Sequence, residues 1–365
     1  MRLFGRSSQT VGLDIGSGLV KAVVVEHGGG APEVVRAAVT ALADDAIVEG
    51  EVMDSGPVAE AVRETLAAVG AEAPSKARRV AVAVGGRDVI VKRIRAARAT
   101  GAEARALLRW EAEQHVPFEM DGVALDFHVL DPEGASAEMT VLLAAAKREL
   151  VDAKLRLLDD AGVRVHVVDV EAFALHNAFE AACAAVAARP VGEGGEATPG
   201  GAGLVALANV GHEATTVNVL EDGVPVLTRD LAVGVRRVRE DLQRELAISA
   251  AAADALLRGE RQSPQLAPVV ARHAEELADG VERAAAQLES IAPDAGPLRA
   301  LFLCGGGARV PGLAAAAAAR LRVRVEQADP FAGVAVREGA LDGLDAGSLA
   351  PMLMLPLGLA LRRVA

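Results

Sequence analysis

The stretch VGLDIGSGLVKAVVV, residues 11–25, decides the fold of this chain. Apolar residues on both sides of its DIGSG segment predict a strand, a tight turn and a second strand. Glycine adds no packing to a strand and loses the most backbone entropy, so Gly16 and Gly18 indicate a turn or a close approach to the main chain. Lys21 follows inside an otherwise buried pattern. We therefore expect a hairpin whose glycines admit a ligand close to the backbone.

Length and charge limit the class of protein. The chain has 365 residues, which suits two lobes of common size. Its 38 basic residues are outnumbered by 50 acidic ones, giving a formal net charge of -12. A general binder of nucleic-acid backbones would need a basic face, so this balance argues against that class. It permits a basic partner, because opposite fields favour encounter.

Cysteine use and the apolar runs predict the compartment. Cys183 and Cys304 form no CxxC motif and have no spacing typical of a zinc site or a disulfide framework. The start, MRLFGRSSQT, lacks the apolar core of a signal peptide. The late run PMLMLPLGLALRR is shorter than the roughly 20 residues that cross a bilayer. We expect a cytoplasmic protein without a transmembrane segment.

Composition also predicts the domain organisation. Residues 191–203, VGEGGEATPGGAG, are rich in glycine and poor in apolar residues, as is typical of a linker. We expect a first lobe over 1–190, with a small inserted subdomain at about 87–163. A second lobe is predicted over 204–350, and 351–365 is predicted to be a C-terminal helix that returns to the first lobe.

The chain repeats its opening after the linker. The segment LANVGHEATTVNVLEDG, residues 207–223, aligns with LDIGSGLVKAVVVEHGG, with Asn209 on Asp14 and Gly211 on Gly16. A further hairpin, helices and a strand follow in the same order in both halves. This agreement indicates an internal duplication of a unit made of a β-meander and helices.

A third glycine turn lies in LFLCGGGARVPGL, residues 301–313. A buried strand runs into Gly305, Gly306 and Gly307 and then into a predicted helix with Pro311 near its first turn. Backbone amides at such a turn suit a phosphate, and the missing side chains let a flat ring lie against the chain. Each glycine turn alone is typical of an ordinary loop. Three of them at strand ends favour a ligand site.

These motifs resemble a known superfamily. DIGSGLVK, NVGHEATT and CGGGARVPGL resemble the two phosphate hairpins and the adenosine motif of the actin-like ATPases. Within that superfamily, RWEAEQHVPF (109–118) and DGVALDFHVLD (121–131) resemble the PilM family of type IV pilus assembly proteins. The resemblance implies an α/β, actin-like ATPase fold with two duplicated ribonuclease-H-like lobes. It also implies a nucleotide cleft between the lobes and a small subdomain inserted in the first lobe.

The same resemblance implies a site for ATP and Mg²⁺. Backbone amides of Gly16, Ser17 and Gly18 would bind the phosphates, Lys21 would add a positive charge, and Asp14 would hold Mg²⁺ through water. Gly211 and His212 would form the second hairpin, and Gly305, Gly306 and Gly307 would lie behind the adenosine. The alternative for Lys21 is an exposed surface lysine.

One position departs from the superfamily pattern. The second hairpin usually begins with an aspartate, and here the residue is Asn209. An amide keeps the shape but loses charge and basicity, so metal binding and water activation should be poorer. We expect hydrolysis to be weak or absent while nucleotide binding persists. Glu171 begins a predicted helix where the superfamily often has an acid near the water. We favour the other interpretation, in which this carboxylate interacts with the helix dipole.

The resemblance implies a function in assembly rather than in metabolism. We expect an ATP-binding adaptor at the cytoplasmic face of the inner membrane, which binds the short basic N-terminal tail of PilN and contacts other pilus assembly proteins. Two alternatives stay open. One is a small-metabolite kinase of the same superfamily, which Asn209 disfavours because no other acid in either hairpin would serve as base. The other is an actin-like filament protein.

The RWEAEQHVPF segment predicts where the partner binds. Trp110 is the only tryptophan of the chain, and an aromatic anchor beside acidic residues suits a peptide with apolar and basic side chains. The predicted partner-binding residues are Trp110, Glu111, Glu113, Pro117 and Phe118. The alternative is that Trp110 is an ordinary core residue that holds its helix to the following strand.

Overall fold

A computed structural model describes residues 8–28, 30–71, 78–187, 203–291 and 295–362. Most of the predicted linker at 191–203 lies outside these residues. The strands are β1 (Ser8–Ile15), β2 (Leu19–His27), β3 (Glu33–Ala41), β4 (Ile47–Val48), β5 (Glu51–Val52), β6 (Arg78–Val84), β7 (Val89–Ala97), β8 (Val123–Val129), β9 (Glu138–Lys147), β10 (Val167–Val170), β11 (Leu204–Val210), β12 (Thr215–Glu221), β13 (Val224–Leu231), β14 (Leu298–Cys304), β15 (Arg324–Gln327) and β16 (Ala335–Val336).

Ten α-helices lie in the described part of the chain. They are α1 (Ser55–Ala68), α2 (Gly101–Glu113), α3 (Arg148–Asp160), α4 (Glu171–Ala187), α5 (Val235–Leu246), α6 (Ala250–Leu257), α7 (Leu266–Ile291), α8 (Leu313–Leu321), α9 (Ala346–Leu349) and α10 (Met354–Leu361). Short 3-10 turns cover Met120–Gly122, Gly306–Arg309, Pro330–Gly333 and Ala350–Leu353. None of the helices in these ranges is both long and apolar enough to span a bilayer.

Two sheets share one strand order, which confirms the predicted duplication. In the first sheet, β3, β2 and β1 form an antiparallel meander, and β6 and β10 then add in parallel beside β1. In the second sheet, β13, β12 and β11 form the meander, and β14 and β15 add in parallel beside β11. Both meanders are rich in valine, which fits a pleated, buried surface.

Each sheet has its own core, and two helices fill the space between the sheets. The first-lobe core packs α1 and α3 against β1 and β2, through residues such as Val62, Leu158 and Val24. The second-lobe core packs α5 and α7 against β12, with Leu277 fully buried. A further cluster combines Leu175 of α4 with β6, β14 and α10. The helices α4 and α10 therefore lie between the lobes.

The inserted strands extend the second sheet, although they follow first-lobe strands in the chain. β7, β9 and β8 form an antiparallel ribbon, and β7 pairs with the edge strand β13 at Lys92 and Leu227. An ion pair between Arg93 and Glu221 joins the same two parts. The insertion thus bridges the two lobes and carries α2 on its surface.

Helix α10 packs so closely against α4 and β1 that two glycines, one on α10 and one on β1, leave no space for a side chain. Seven of its residues, from Met354 to Ala360, are buried. A Cβ at Gly358 would lie 1.7 Å from the carbonyl oxygen of Ala174 on α4. A Cβ at Gly12 of β1 would lie 1.9 Å from the carbonyl oxygen of Pro356. Glycine is required here because backbone approaches backbone directly.

Candidate functional site

The first hairpin holds its glycines in a tight turn beside a buried ion pair. The N–H of Gly16 donates to the carbonyl oxygen of Leu19 at 3.0 Å, and the carbonyl oxygen of Gly18 accepts from the N–H of Leu42 at 3.0 Å. Asp14 and Lys21 are cross-strand neighbours, with Nζ and Oδ2 separated by 2.5 Å. Both residues are buried, at 8% and 9% exposure. Lys21 is therefore not a surface lysine.

The second hairpin faces the first across the cleft. The N–H of Gly211 donates to the carbonyl oxygen of Ala214 at 2.9 Å, which closes the turn. A Cβ at Gly18 would lie 3.1 Å from the imidazole of His212, so the two turns are in contact distance. Burial, and then the charge of Arg239, lower the pKa of His212. The lowered pKa therefore favours the neutral form of the imidazole.

The third glycine turn packs against the strand that carries Asn209. Gly305 has φ +80, which favours glycine, and a Cβ there would lie 2.4 Å from Oδ1 of Asn209. A Cβ at Gly307 would lie 2.2 Å from the Cγ1 of Val210. At Gly306, by contrast, a Cβ would meet no atom within 4 Å. Two of these glycines are needed for packing, while the third faces open space.

Carboxylates from both lobes lie within electrostatic range of one another. Burial is the main cause that raises the pKa of Glu171 to about 7, and the charges of Asp14 and Asp230 add to it. Gly85 admits this side chain, since a Cβ there would lie 2.4 Å from the Glu171 carboxyl carbon. A carboxylate governed by the dipole of its helix would have a lowered pKa. Burial therefore outweighs the helix dipole in setting this pKa, and the role of Glu171 stays a prediction.

Asp230 and Gly85 are site residues that the sequence reasoning missed. Burial raises the pKa of Asp230, against the opposing effect of a hydrogen bond that the hydroxyl of Thr216 donates at 2.8 Å. Thr216 is in turn the cross-strand neighbour of Asn209. The GG pair that follows the apolar run RRVAVAV was a signal for Gly85. Nothing local distinguished Asp230 from other acids on strands.

Replacing Glu171 with glutamine is expected to change how stability depends on pH. The folded protein binds this proton more tightly than the unfolded chain, so parent stability falls as pH rises from about 4.5 to about 7. The Glu171→Gln variant lacks this penalty. Its advantage in free energy of unfolding should grow by about 2 kcal/mol between about pH 5 and pH 8.

Urea unfolding at the two pH values measures this difference. Glu64→Gln, on the exposed face of α1, is the matched control and should show no such trend. Parallel pH profiles for Glu171→Gln and the parent would contradict the raised pKa.

The predicted partner face is exposed rather than part of a core. Leu108 and Ala112 form the buried side of α2. Trp110 lies on the other side and is 57% exposed, which excludes the core alternative. Glu113 is exposed and Glu111 is half-buried. α2 thus presents an aromatic ring and a carboxylate to solvent.

A depression lies beside this face. It has a volume of about 350 Å³ and is lined by Phe118, Glu119, Gly122, Lys147, Arg148, Glu149 and Asp152. The Nζ of Lys147 lies 5.2 Å from the ring centroid of Phe118, within the range of a cation–π contact. Pro117, which follows α2 in the chain, is exposed. The surface therefore combines apolar and charged groups of both signs.

Comparison with known proteins identifies the family. The family described as type IV pilus assembly protein PilM matches residues 12–364. A solved PilM-PilN type IV pilus biogenesis complex contains a chain with 26% identity and a TM-score of 0.78, covering 97% of this chain and 98% of that one.

More distant structures share the fold. The ethanolamine utilization protein EutJ from Carboxydothermus hydrogenoformans has 17% identity and a TM-score of 0.55, with 98% and 92% coverage. MreB5 of Spiroplasma citri bound to AMPPNP has 11% identity and a TM-score of 0.50, with 96% and 94% coverage. The predicted actin-like ATPase fold is confirmed, and the chain belongs to the PilM family of type IV pilus assembly proteins.

Proposed function

We propose that this protein is an ATP-binding adaptor of the type IV pilus assembly platform. In this role it binds the cytoplasmic N-terminal tail of PilN at the α2 face, and nucleotide in the cleft controls that binding. The observation that carries the proposal is the meeting of the two glycine hairpins, with Gly18 against His212. Family membership and the solved complex of a related PilM with PilN support the partner.

The cleft residues fit a nucleoside triphosphate. Gly16 and Gly18 have no side chains, so phosphate oxygens can approach the turn around Ser17, and Lys21 supplies a buried positive charge beside it. The open space over Gly306 suits the flat base of adenosine. Asp14 is the candidate that holds Mg²⁺ through water, since a hard cation prefers carboxylate and phosphate oxygens. When bound, MgATP supplies contacts to both lobes at once.

The site favours binding over hydrolysis. Asn209 supplies no carboxylate at the start of the second hairpin, and a neutral His212 adds no positive charge there. Glu171, with a pKa of about 7, is partly protonated at neutral pH and is therefore only a partial base. We propose that hydrolysis is weak or absent, so that bound nucleotide acts as a conformational ligand.

The partner face fits a basic peptide. The chain carries a net charge of -12, and opposite charge speeds encounter with a basic tail. An exposed aromatic ring near carboxylates is a common anchor in peptide grooves. Trp110, Glu111, Glu113, Pro117 and Phe118 are the proposed contact residues. Binding to PilN, a membrane-anchored partner, would place this protein at the cytoplasmic face of the inner membrane.

The fluorescence of Trp110 is expected to report peptide binding, and MgATP is expected to tighten it. Trp110 is the only tryptophan. A spectral shift during titration with the N-terminal PilN peptide of the same organism therefore reports a change in the surroundings of Trp110. The apparent Kd should fall by about fivefold or more when MgATP is present, as is typical of coupled sites. Calorimetry provides an independent measurement of both ligands.

Matched variants separate the two halves of the proposal. Gly306→Leu fills the open space behind the proposed adenosine and should remove the nucleotide effect. Gly28→Leu is the control, because a Cβ there also meets no atom within 4 Å and it follows the far end of β2. Peptide binding without any effect of MgATP would refute nucleotide control. No binding of the peptide in either state would refute the adaptor role of the α2 face.

A further inference from the structure

Residues 44–49 reach from the first lobe toward the second. This segment follows β3, and Ala46 and Ile47 fix it in the first-lobe core. Asp45 and Glu49 adopt positive φ angles of 62 and 51. Such left-handed conformations are costly for residues other than glycine. The segment is thus held in a defined shape that turns its acidic groups away from the core.

Three polar contacts connect this segment to the second lobe. Nη1 of Arg236 lies 2.8 Å from Oδ1 of Asp45. Nη2 of Arg239 lies 3.5 Å from Oδ2 of Asp44. The N–H of Glu49 donates to Oε2 of Glu213 at 2.7 Å. All three contacts cross between the lobes.

The second-lobe residues of these contacts lie next to the second hairpin. Glu213 follows His212, whose imidazole faces Gly18 of the first hairpin. The N–H of Arg236 donates to the carbonyl oxygen of His212 at 2.7 Å, and its side chain lies 3.2 Å from Glu213. The contacts therefore lie at the phosphate end of the cleft, where a rotation of one lobe would separate their partners.

We propose that residues 44–49 form a latch that holds the lobes together at the phosphate end of the cleft and slows the exit of nucleotide. The slowing of nucleotide exit rests on the function proposed above, whereas the latch itself does not. The segment supplies carboxylates on the first lobe, and α5 supplies the guanidinium groups on the second.

The latch consists of exposed ion pairs, which salt can weaken. The side chains of Asp44 and Asp45 are 65% and 64% exposed, so salt screens their attraction to arginine. The Nε of Arg239 is buried and has no hydrogen-bond partner among the described residues. The guanidinium of Arg239 is thus incompletely satisfied with the lobes in this arrangement. Apolar packing across the same gap would not respond to ionic strength in this way.

The double variant Arg236→Gln/Arg239→Gln tests the latch, with Arg237→Gln as its matched control. Arg237 lies on the same helix but pairs with Glu276, inside the second lobe, at 2.7 Å. Hydrogen exchange of the peptide that covers residues 42–54 reports the Glu49 N–H directly. We expect exchange there to be roughly tenfold faster in the double variant, because two exposed ion pairs between the lobes are lost together. High salt should accelerate the parent likewise. Unchanged exchange in the double variant would overturn the latch.

Release of a fluorescent ATP analogue tests the gating. In the double variant we expect the release rate to rise by roughly tenfold, and in Arg237→Gln to stay at the parent value. Faster amide exchange with unchanged release would overturn gating by the latch. A parent protein that does not bind the analogue would contradict the proposed function instead, and amide exchange would still decide whether the latch exists.

Discussion

Replacing Gly358 with valine is expected to lower the free energy of unfolding by about 4 kcal/mol or more, which is among the largest effects of a single substitution. The new Cβ would lie 1.7 Å from the Ala174 carbonyl oxygen. This oxygen belongs to the backbone of α4 and cannot rotate away as a flexible side chain can. Helix α10 must therefore move off α4, and it would lose the burial of its leucines. Urea unfolding followed by circular dichroism measures the loss.

A milder substitution and a control keep this result interpretable. Gly358→Ala places the same Cβ with less bulk, and it serves if the valine variant does not accumulate as folded protein. Gly122→Val is the control, because a Cβ there meets no atom within 4 Å. A Gly358→Ala variant as stable as the parent would mean that α10 does not pack against α4 as described.

Replacing Lys21 with methionine is expected to destabilise the protein by about 3–5 kcal/mol, because it leaves the buried carboxylate of Asp14 without its partner. Nζ and Oδ2 lie 2.5 Å apart, and the two side chains are 11% and 9% exposed. The double variant Asp14→Leu/Lys21→Met removes both charges at once. Its stability should return close to the parent value, since well-packed apolar pairs replace buried ion pairs at little cost.

Chemical denaturation of the parent, both single variants and the double variant gives the coupling energy of the pair. The exposed pair of Arg320 and Asp279, 2.7 Å apart on the surface, provides the comparison. Its disruption should cost much less, because exposed ions exchange their partner for water at little loss. Equal losses at the two pairs would contradict the buried character of the Asp14 and Lys21 contact.

The hairpins and the duplication were predictable because their signals are local. Alternation with period two and glycines at strand ends fix a strand, a turn and a second strand without knowledge of the rest of the chain. The repeat of LDIGSG as ANVGHE then placed Asn209 at the position equivalent to Asp14 in the other lobe. Thr100 with Glu103 three residues later likewise has the spacing of a capping box at the start of α2, although the Thr100 side chain makes no capping hydrogen bond.

Features that depend on distant contacts were not predictable in this way. Asp230 enters the site because β13 lies beside β12 and its side chain reaches Thr216. The raised pKa of Glu171 needs the burial that the assembled cleft provides. The contacts of Arg236 and Arg239 join residues about two hundred positions apart and leave no periodic signal. The exposure of Trp110 likewise depends on which face of α2 packs against the strands β7, β8 and β9.

The pairing of β7 with β13 has a consequence for solubility. In the first sheet, the equivalent edge strand β3 is covered by the two-residue strand β16 and by backbone hydrogen bonds to Arg337 and Ala340. In the second, the ribbon of β7, β9 and β8 covers the edge that the meander would otherwise expose. A free edge strand rich in valine is a template for pairing between molecules and for aggregation. The insertion that carries the proposed partner face therefore also covers the β13 edge of the second lobe, and a shortened chain without it would lose both.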